Sequence, residues 1–312
     1  MSTDAASQRM RPVHLCVSVC YLCLFCEEAV TSPEGVRLIG AGKLPGHSVD
    51  SVAILGVRVD SISLQRLIQE VKSVVTSGNH LCVMYANVHV LNTAWADPEL
   101  RAILNGADVV YCDGAGVVLG AWLLGQRLPG RMTGADWIGP LCGACTEDGT
   151  TLYFLGGRPG VAARAADLLR VRHAGLRIVG THHGYLLHPP PPELGEGGRG
   201  GEGTAAIAAV NGAHPHILLV GMGTPTQERW IAAHRQQLEV PVVWAVGALF
   251  DFVAGVQPRG PRWMLDHGLE WLCRLWNDPC RLWRRYVIGN PLFILRVLRA
   301  CLKNACSDDF SR

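Results

Sequence analysis

The residue best placed for acid–base chemistry is Asp113, which follows an unbroken apolar run and precedes Gly114-Ala115-Gly116. A lone Asp before Gly is most often a turn residue. If the apolar run is a strand of a parallel sheet, however, the carboxylate lies at the mouth of that sheet and could accept a proton from a hydroxyl group. The glycines would let the backbone approach a ligand closely. Both interpretations, turn residue and general base, stay open.

Two glycine turns follow apolar runs and suit an anionic ligand. One contains Gly221 and Gly223 and leads into a predicted helix, and the other contains Gly156 and Gly157. The N-terminus of a helix offers unpaired N–H groups to an anion such as a diphosphate. These turns therefore predict a binding site for a diphosphate-like group.

Several common nucleotide motifs are missing from these positions. The dinucleotide fingerprint GxGxxG fails twice, because Thr226 and Leu119 stand where its third glycine is required. Neither a Walker A sequence nor a GxSxG nucleophile elbow occurs. The core also lacks a DxD motif, so nothing marks a metal-held diphosphate. These absences argue against dehydrogenases, kinases and hydrolases, and we expect neither a cofactor nor a metal.

Strands that alternate with helices must position these residues. Apolar runs predict strands at 51–59, 81–86, 108–112, 151–155, 176–180, 216–220 and 242–246. Helical periodicity or helix start signals predict helices at 61–77, 88–95, 98–105, 161–173 and 227–238. This order predicts an α/β fold, a Rossmann-like and mostly parallel sheet with helices on both faces. Ligands of such sheets bind beyond the carboxyl ends of the strands, which selects Asn87, Asp113, 156–157, 221–227 and 247–251.

The chain of 312 residues suits one large α/β domain or two small ones. We expect a loosely structured extension at 1–50, an α/β domain at 51–267 and a helical, basic appendage at 268–312. Residues 188–203 hold four consecutive prolines and many glycines, which predicts a flexible loop.

The 12 cysteines are scattered, many of them inside apolar runs, which favours buried free thiols. Cys142 and Cys145 form a CxxC pair, but no second pair stands at a zinc-site distance. Cys16, Cys20 and Cys23 have the spacing of some iron–sulfur enzymes, although they lie in an apolar N-terminal run without the glycine-rich context of such sites. Both metal interpretations are therefore disfavoured.

The C-terminal appendage concentrates positive charge. Between Trp271 and Lys303 seven basic residues face one acid, a local charge of +6 against +2 for the whole chain. Aromatic and leucine side chains interleave with these charges, which is typical of a helix at a membrane interface. A packed helix with a solvated basic face is the alternative. No nucleic-acid-binding fold is recognisable, so we expect no nucleic-acid partner.

Several blocks follow one another in order: Asn87, residues 110–118 (VYCDGAGVV), 131–136 (RMTGAD), 152–157 (LYFLGG), 221–228 (GMGTPTQE), 247–255 (GALFDFVAG) and 268–272 (GLEWL). Together these blocks resemble the WecG/TagA/CpsF family of glycosyltransferases, over roughly residues 52 to 300. The resemblance implies an inverting transferase that uses a UDP-sugar of the N-acetylmannosamine type or a related hexose. Its acceptor would be a polyprenyl-diphosphate-linked sugar at the cytoplasmic face of the cell membrane, in cell-surface polysaccharide biosynthesis.

The resemblance also assigns roles. Asp113 becomes the general base, and Arg131 helps to stabilise the departing diphosphate. Asn87, Arg131 and Gln227 line the sugar and diphosphate, and Asp251 contacts the nucleoside. The appendage docks peripherally on the membrane, and some of its arginines complete the active site; the candidates are Arg274, Arg281, Arg284 and Arg285.

Some alternatives remain for these residues. Arg131 could form a surface salt bridge, and Gln227 could simply start a helix, whereas Asp251 between two phenylalanines needs a partner if it is buried. Tyr85 departs from the family, which often has Thr there, and predicts a change in sugar specificity. A non-catalytic nucleotide-sugar-binding protein of the same fold is the second hypothesis, and an NAD-type enzyme the third. A homo-oligomer is also compatible with the sequence.

Overall fold

Six parallel strands form the central sheet, in the order β4-β3-β8-β7-β5-β6. The computed structural model describes residues 50–185, 202–257, 260–261, 264 and 269–309, without the side chains of 202 and 304–309. The strands are β3 (Leu81–Ala86), β4 (Val109–Cys112), β5 (Thr151–Gly156), β6 (Arg177–His182), β7 (Ile217–Gly221) and β8 (Val242–Ala245). Four of them are buried along their whole length, as expected for a sheet covered on both faces. The predicted α/β fold is confirmed.

A short hairpin precedes the sheet. The run 51–59 was expected to form one strand, but it divides into β1 (Ser51–Ile54) and β2 (Val57–Asp60), which pair antiparallel. The break occurs at Leu55 and Gly56, which both have positive φ angles. The Asp60 carboxylate accepts a hydrogen bond of 2.7 Å from the backbone N–H of Val110, which ties the hairpin to the sheet.

Five helices lie close to their predicted bounds, and others were not predicted. The predicted ones are α1 (Leu64–Ser77), α2 (Val88–Ala96), α3 (Pro98–Gly106), α6 (Val161–Arg172) and α8 (Thr226–His234). The additional ones are α4 (Ala115–Leu123), α5 (Gly134–Asp148), α7 (Glu202–Ala213) and α9 (Leu249–Val253). Glu202 and Gly203 therefore begin a helix instead of closing the predicted loop, most of which lies outside the described residues, as do residues 1–49.

The appendage is helical, as predicted. It contains α10 (Glu270–Asn277), α11 (Pro279–Trp283), a π-helical turn (Arg284–Ile288) and α12 (Gly289–Asp309). Phe293 and Val297 of α12 are buried among the core residues. Asn92 of α2 donates a 2.7 Å hydrogen bond to the carbonyl of Gly289 and accepts a 2.8 Å bond from Arg296. Within the described residues, no helix is both long and apolar enough to cross a membrane.

Candidate active site

The carboxyl ends of β3 and β4 bring Asn87 and Asp113 together. Ala86 lies opposite Cys112 in the parallel register, so the next residue of each strand lies at the same edge of the sheet. The backbone N–H of Asp113 donates to the carbonyl of Ala86 at 2.8 Å. The side chain of Asn87 donates to Oδ2 of Asp113 at 3.1 Å and accepts from the N–H of Val90, capping α2. Asn87 therefore orients the carboxylate of Asp113.

Asp113 is half-buried, and its pKa is raised above the ordinary 3.8. Loss of hydration on burial is the largest cause, and the negative charge of Glu270 adds to it. Three influences lower the pKa of Asp113: in decreasing order, the charge of Arg274, the hydrogen bond from Asn87 and the charge of Arg285. A carboxylate with a raised pKa is a stronger proton acceptor than an ordinary aspartate, which suits a general base.

Two guanidinium groups share one carboxylate near Asp113. Residues 131–133 run beside the end of β4, because the N–H of Met132 donates to the carbonyl of Cys112 at 2.8 Å. Nη1 of Arg131 lies 3.6 Å from Oε2 of Glu270. Oε1 of Glu270 accepts from Nη2 and Nε of Arg274 at 2.5 and 3.2 Å. All three side chains are mostly shielded, so Arg131 forms its ion pair inside the crevice instead of on open surface.

The other appendage arginines divide into two groups. Arg285 is half-buried, and its charge affects Asp113; burial and then Arg285 lower the pKa of His89 to about 4. In the part of the chain that is described, Nε of Arg285 is buried and finds no hydrogen-bond acceptor. Arg281 and Arg284 are exposed, and Arg281 pairs with Asp278 at 2.6 Å. The structure thus brings the charges of Arg274 and Arg285 to Asp113, whereas the charge of Arg281 acts on Asp251.

Gln227 belongs to a buried polar network. Its Nε2 donates to the hydroxyl of Tyr85 at 3.1 Å and to Oε1 of Glu228 at 2.8 Å, while its Oε1 accepts from the N–H of Gly247 at 3.0 Å. Thr224 also donates to Oε1 of Glu228, at 2.8 Å. Gln227 is fully buried, so in this conformation it holds the strand-end turns in place. A direct contact between Gln227 and the diphosphate stays a prediction.

Tyr85 and Glu228 are the ionisable members of this network. Burial raises the pKa of Tyr85, so its phenol stays protonated. Burial also raises the pKa of Glu228, and among the described residues its Oε2 finds no hydrogen-bond partner. Tyr85 points toward Gly247 and Thr224 inside the protein. An effect of Tyr85 on sugar specificity stays a prediction, and in this structure it would act through the position of these turns.

Packing explains part of the glycine pattern. A Cβ at Gly156 would collide with the backbone of Gly221, and a Cβ at Gly221 would lie 2.7 Å from the carbonyl oxygen of Gly247. Gly223 is different, because its φ is +80° and no atom lies within 4 Å of the place that a Cβ would occupy. Gly157 also has a positive φ, and its N–H donates to the carbonyl of Gly221 at 2.9 Å. Ligand contact at these turns stays a prediction.

Asp251 lies half-buried on α9, with two cations near it. Burial raises its pKa, and the charges of Arg281 and Arg158 oppose that rise. Positive charge therefore lies near this carboxylate, as expected for a partly buried aspartate. Sequence reasoning missed Arg158 and Glu270, although both lie in or beside the blocks that carry the family resemblance. Glu270 stands four residues before Arg274 on one helix, and that spacing was the available signal.

No group of three or more His, Cys, Asp or Glu side chains suited to a metal ion occurs within the described ranges. Cys142 and Cys145 are free, buried thiols on α5, and burial raises the pKa of each to about 12. Both sulfurs therefore stay protonated at neutral pH. Cys16, Cys20 and Cys23 lie outside the described residues.

Comparison with known proteins identifies the class of enzyme. The family model described as "Glycosyl transferase WecG/TagA/CpsF family" matches residues 52–307. The chain therefore belongs to this family and is a glycosyltransferase. It is similar to proteins of Staphylococcus aureus strains MW2, NCTC 8325 / PS 47 and COL, each 27% identical over 251 residues, which is 80% of this chain and 92% of the relative. Each of these relatives is named N-acetylglucosaminyldiphosphoundecaprenol N-acetyl-beta-D-mannosaminyltransferase.

Proposed function

We propose that the protein transfers an N-acetylmannosamine-type sugar, or a related hexose, from a UDP-sugar to a polyprenyl-diphosphate-linked acceptor. The names of the relatives support a lipid-linked N-acetylglucosamine acceptor and this type of sugar. The observation that carries the proposal is the half-buried carboxylate of Asp113, held by Asn87 beside the cluster of Arg131, Glu270 and Arg274. The product would serve cell-surface polysaccharide biosynthesis.

Asp113 acts as the general base of the transfer. It accepts the proton of the acceptor hydroxyl while that oxygen forms a bond to the anomeric carbon of the donor. The bond between the anomeric carbon and the UDP oxygen breaks, and attack from the opposite face inverts the configuration. Burial raises the pKa of Asp113, which strengthens it as a base, while Arg274 and Asn87 keep its ionised form accessible.

Arg131 and Arg274 stabilise the departing diphosphate. Negative charge grows on this group as the bond breaks, so positioned guanidinium groups stabilise the transition state more than the ground state. Glu270 holds both guanidinium groups before the donor binds. Arg285 adds a third positive charge to the surroundings of Asp113. Arginine suits this role because its planar fork matches the oxygens of a phosphate group.

The nucleoside end of the donor lies toward Asp251. This residue is placed beyond β8, next to Arg158, which follows the Gly157 turn. The turns at Gly157 and Gly223 provide backbone that a diphosphate can approach. The donor would then extend along the carboxyl edge of the sheet, from Asp251 to Asp113, as ligands of open α/β sheets commonly do.

Membrane contact is made by the appendage, at the cytoplasmic face. Exposed apolar residues recur every three or four positions along its last two helical segments: Ile288, Leu292, Leu295, Leu298 and Leu302. This spacing forms one stripe, which we call the apolar stripe, and Phe293 and Val297 face the core instead. Nearby Arg284 and Arg299 are exposed and suit anionic lipid head groups.

A screen of UDP-sugars against an N-acetylglucosamine-diphosphate acceptor with a short prenyl chain tests the proposal. We expect transfer from UDP-N-acetylmannosamine or a related UDP-hexose, with inversion visible in the NMR coupling of the product. Donor binding without transfer to any acceptor would favour the non-catalytic nucleotide-sugar-binding alternative. Binding of NAD in preference to UDP would favour the third hypothesis.

A further inference from the structure

One face of α4 carries two large apolar residues, Leu119 and Trp122, that the core does not use. Ala115, Val118, Leu119 and Trp122 stand at positions i, i+3, i+4 and i+7, so they share one side of the helix, and Val118 of this set also packs partly against the core. Leu119 is 45% exposed and Trp122 is 66% exposed. Large apolar side chains at this spacing usually face a core, and here they face outward.

The opposite face of α4 consists of small residues that pack very closely. A Cβ at Gly116 would lie 2.5 Å from Cγ2 of Val88 on α2, and one at Gly120 would lie 2.7 Å from the ring of Phe293 on α12. Val117 and Ala121 are buried between them. Packing therefore fixes α4 with its small residues inward, and the folding of the core does not explain Leu119 and Trp122.

The outward face forms one wall of a groove of about 460 Å³ that also includes Gly130 and Arg131. The surface of this groove is almost entirely apolar even with Arg131 included, so Arg131 borders it mainly with the aliphatic part of its side chain. One end of the groove lies at the active site, because the guanidinium of Arg131 pairs with Glu270 and because α4 begins two residues after Asp113. From Ala115 to Trp122 the helix rises about 10 Å. The groove thus leads from the charged crevice outward along α4.

We propose that this groove, which we call the α4 groove, binds the first isoprene units of the lipid acceptor. The inference rests on the proposed function, in which the acceptor carries a sugar, a diphosphate and a polyprenyl chain in that order. Such a molecule needs a charged site followed by an apolar surface, and Arg131 followed by the α4 face provides this order. The helix that lines the groove is also tied to the appendage, because Gly120 on its opposite face packs against Phe293 of α12.

Acceptors with prenyl chains of increasing length test the proposal in solution without a membrane. With the wild type, we expect KM to fall on the order of tenfold as the chain fills the groove, and then to level off. Trp122→Ala and Leu119→Ser should flatten this dependence and leave kcat for an acceptor without a prenyl chain unchanged. Trp276→Ala is the matched control, because Trp276 is 85% exposed and does not line the groove.

A binding measurement separates this proposal from the proposed function. Farnesyl diphosphate should bind the wild type more tightly than inorganic diphosphate does, and Trp122→Ala should abolish the difference, whether or not transfer is observed. Equal affinity of the wild type for both probes would overturn the proposal that the α4 groove binds the prenyl chain. A loss of liposome binding in Trp122→Ala, with an unchanged dependence on chain length, would also overturn it, because Trp122 would then contact bilayer lipid.

Discussion

Replacing Asp113 with Asn should lower activity and raise stability at the same time. Asn is nearly isosteric and can still accept the 3.1 Å hydrogen bond from Asn87, but it cannot take the acceptor proton. Loss of a general base costs on the order of a hundredfold or more in kcat. A factor of ten corresponds to about 1.36 kcal/mol, so the barrier should rise by about 2.7 kcal/mol. Donor affinity should change little.

The stability gain follows from the raised pKa of Asp113. Burial and Glu270 outweigh Arg274, Asn87 and Arg285, so the ionised carboxylate is less favourable in the folded chain than in the unfolded one. This penalty exists above the raised pKa and disappears as the pH falls below the ordinary value of 3.8. Asp113→Asn should therefore raise Tm at neutral pH, by about 2–4 °C for each kcal/mol of unfavourable free energy that the substitution removes. The difference in Tm between this variant and the wild type should vanish in acid.

Asp97→Ala is the matched control for this pair of measurements. Asp97 caps α3 through a 3.0 Å hydrogen bond from the N–H of Leu100 and forms an ion pair of 2.8 Å with Arg229, and within the described residues it makes no hydrogen bond or ion pair with Asn87, Asp113, Arg131 or Arg274. Its loss should cost about 1 kcal/mol of stability and leave the rate unchanged. Thermal unfolding and single-turnover transfer, each across a pH series, give both readouts. Wild-type kcat in Asp113→Asn, or a Tm that falls at neutral pH, would refute the reasoning.

Two further predictions concern the donor and the membrane. UDP should bind without a divalent metal, because the described crevice offers cationic side chains and no DxD motif occurs. Calorimetry with and without EDTA checks this prediction. Binding of UDP that vanishes in the presence of the chelator would contradict it. The double substitution Leu295→Asp and Leu298→Asp should weaken co-sedimentation with anionic liposomes on the order of tenfold or more. High salt should also weaken the binding of the wild-type protein to these liposomes. Val171→Asp is the control, because Val171 is 83% exposed on α6. An equal loss of liposome binding in this variant would contradict the proposed membrane contact of the apolar stripe.

Point substitutions replace truncation for a structural reason. Removal of the whole appendage would uncover the core surface that Phe293 and Val297 cover, and it would leave Asn92 without its partners Gly289 and Arg296. Truncation of a large buried aromatic side chain alone typically costs about 3–5 kcal/mol. A truncated protein that failed to bind liposomes could simply be unfolded, whereas the exposed leucines can be changed without opening the core.

The sheet and the position of the crevice could be predicted, because both follow from local patterns. Each buried strand is a short apolar run, and a parallel sheet places the ends of its strands at one edge. Asn87 and Asp113 were therefore expected at that edge, and the structure joins them by a hydrogen bond. The hairpin at Leu55 and Gly56 was missed because apolar residues are frequent from Val52 to Val59, although the change from even to odd apolar positions across Gly56 was the available signal.

Weak periodicity hid the helices α4 and α5. The helix α4 is apolar on all sides, so no periodicity marks it. The helix α5 contains glycines and Pro140, although the capping box of Thr133 and Asp136 and the final Gly149 were available as signals of its ends. Long-range partners were equally invisible. The sequence around Gln227 predicts only the start of a helix. Its place in the buried hydrogen-bond network depends on Tyr85 and Gly247, which are distant in sequence. Such contacts depend on the folded geometry, which a single sequence does not reveal.

The chemistry of Asp113 depends on a segment that is far away in the chain. Arg274 is the largest influence that lowers the pKa of Asp113, larger than the hydrogen bond from Asn87 within the α/β domain. If α10 moved away, Asp113 would lose the charges of both Arg274 and Glu270, and the leaving diphosphate would lose a guanidinium group. The loss of that guanidinium group should slow transfer. Because the helices that follow α10 carry the apolar stripe, the position of this segment would link the proposed membrane contact to the charges around the proposed base.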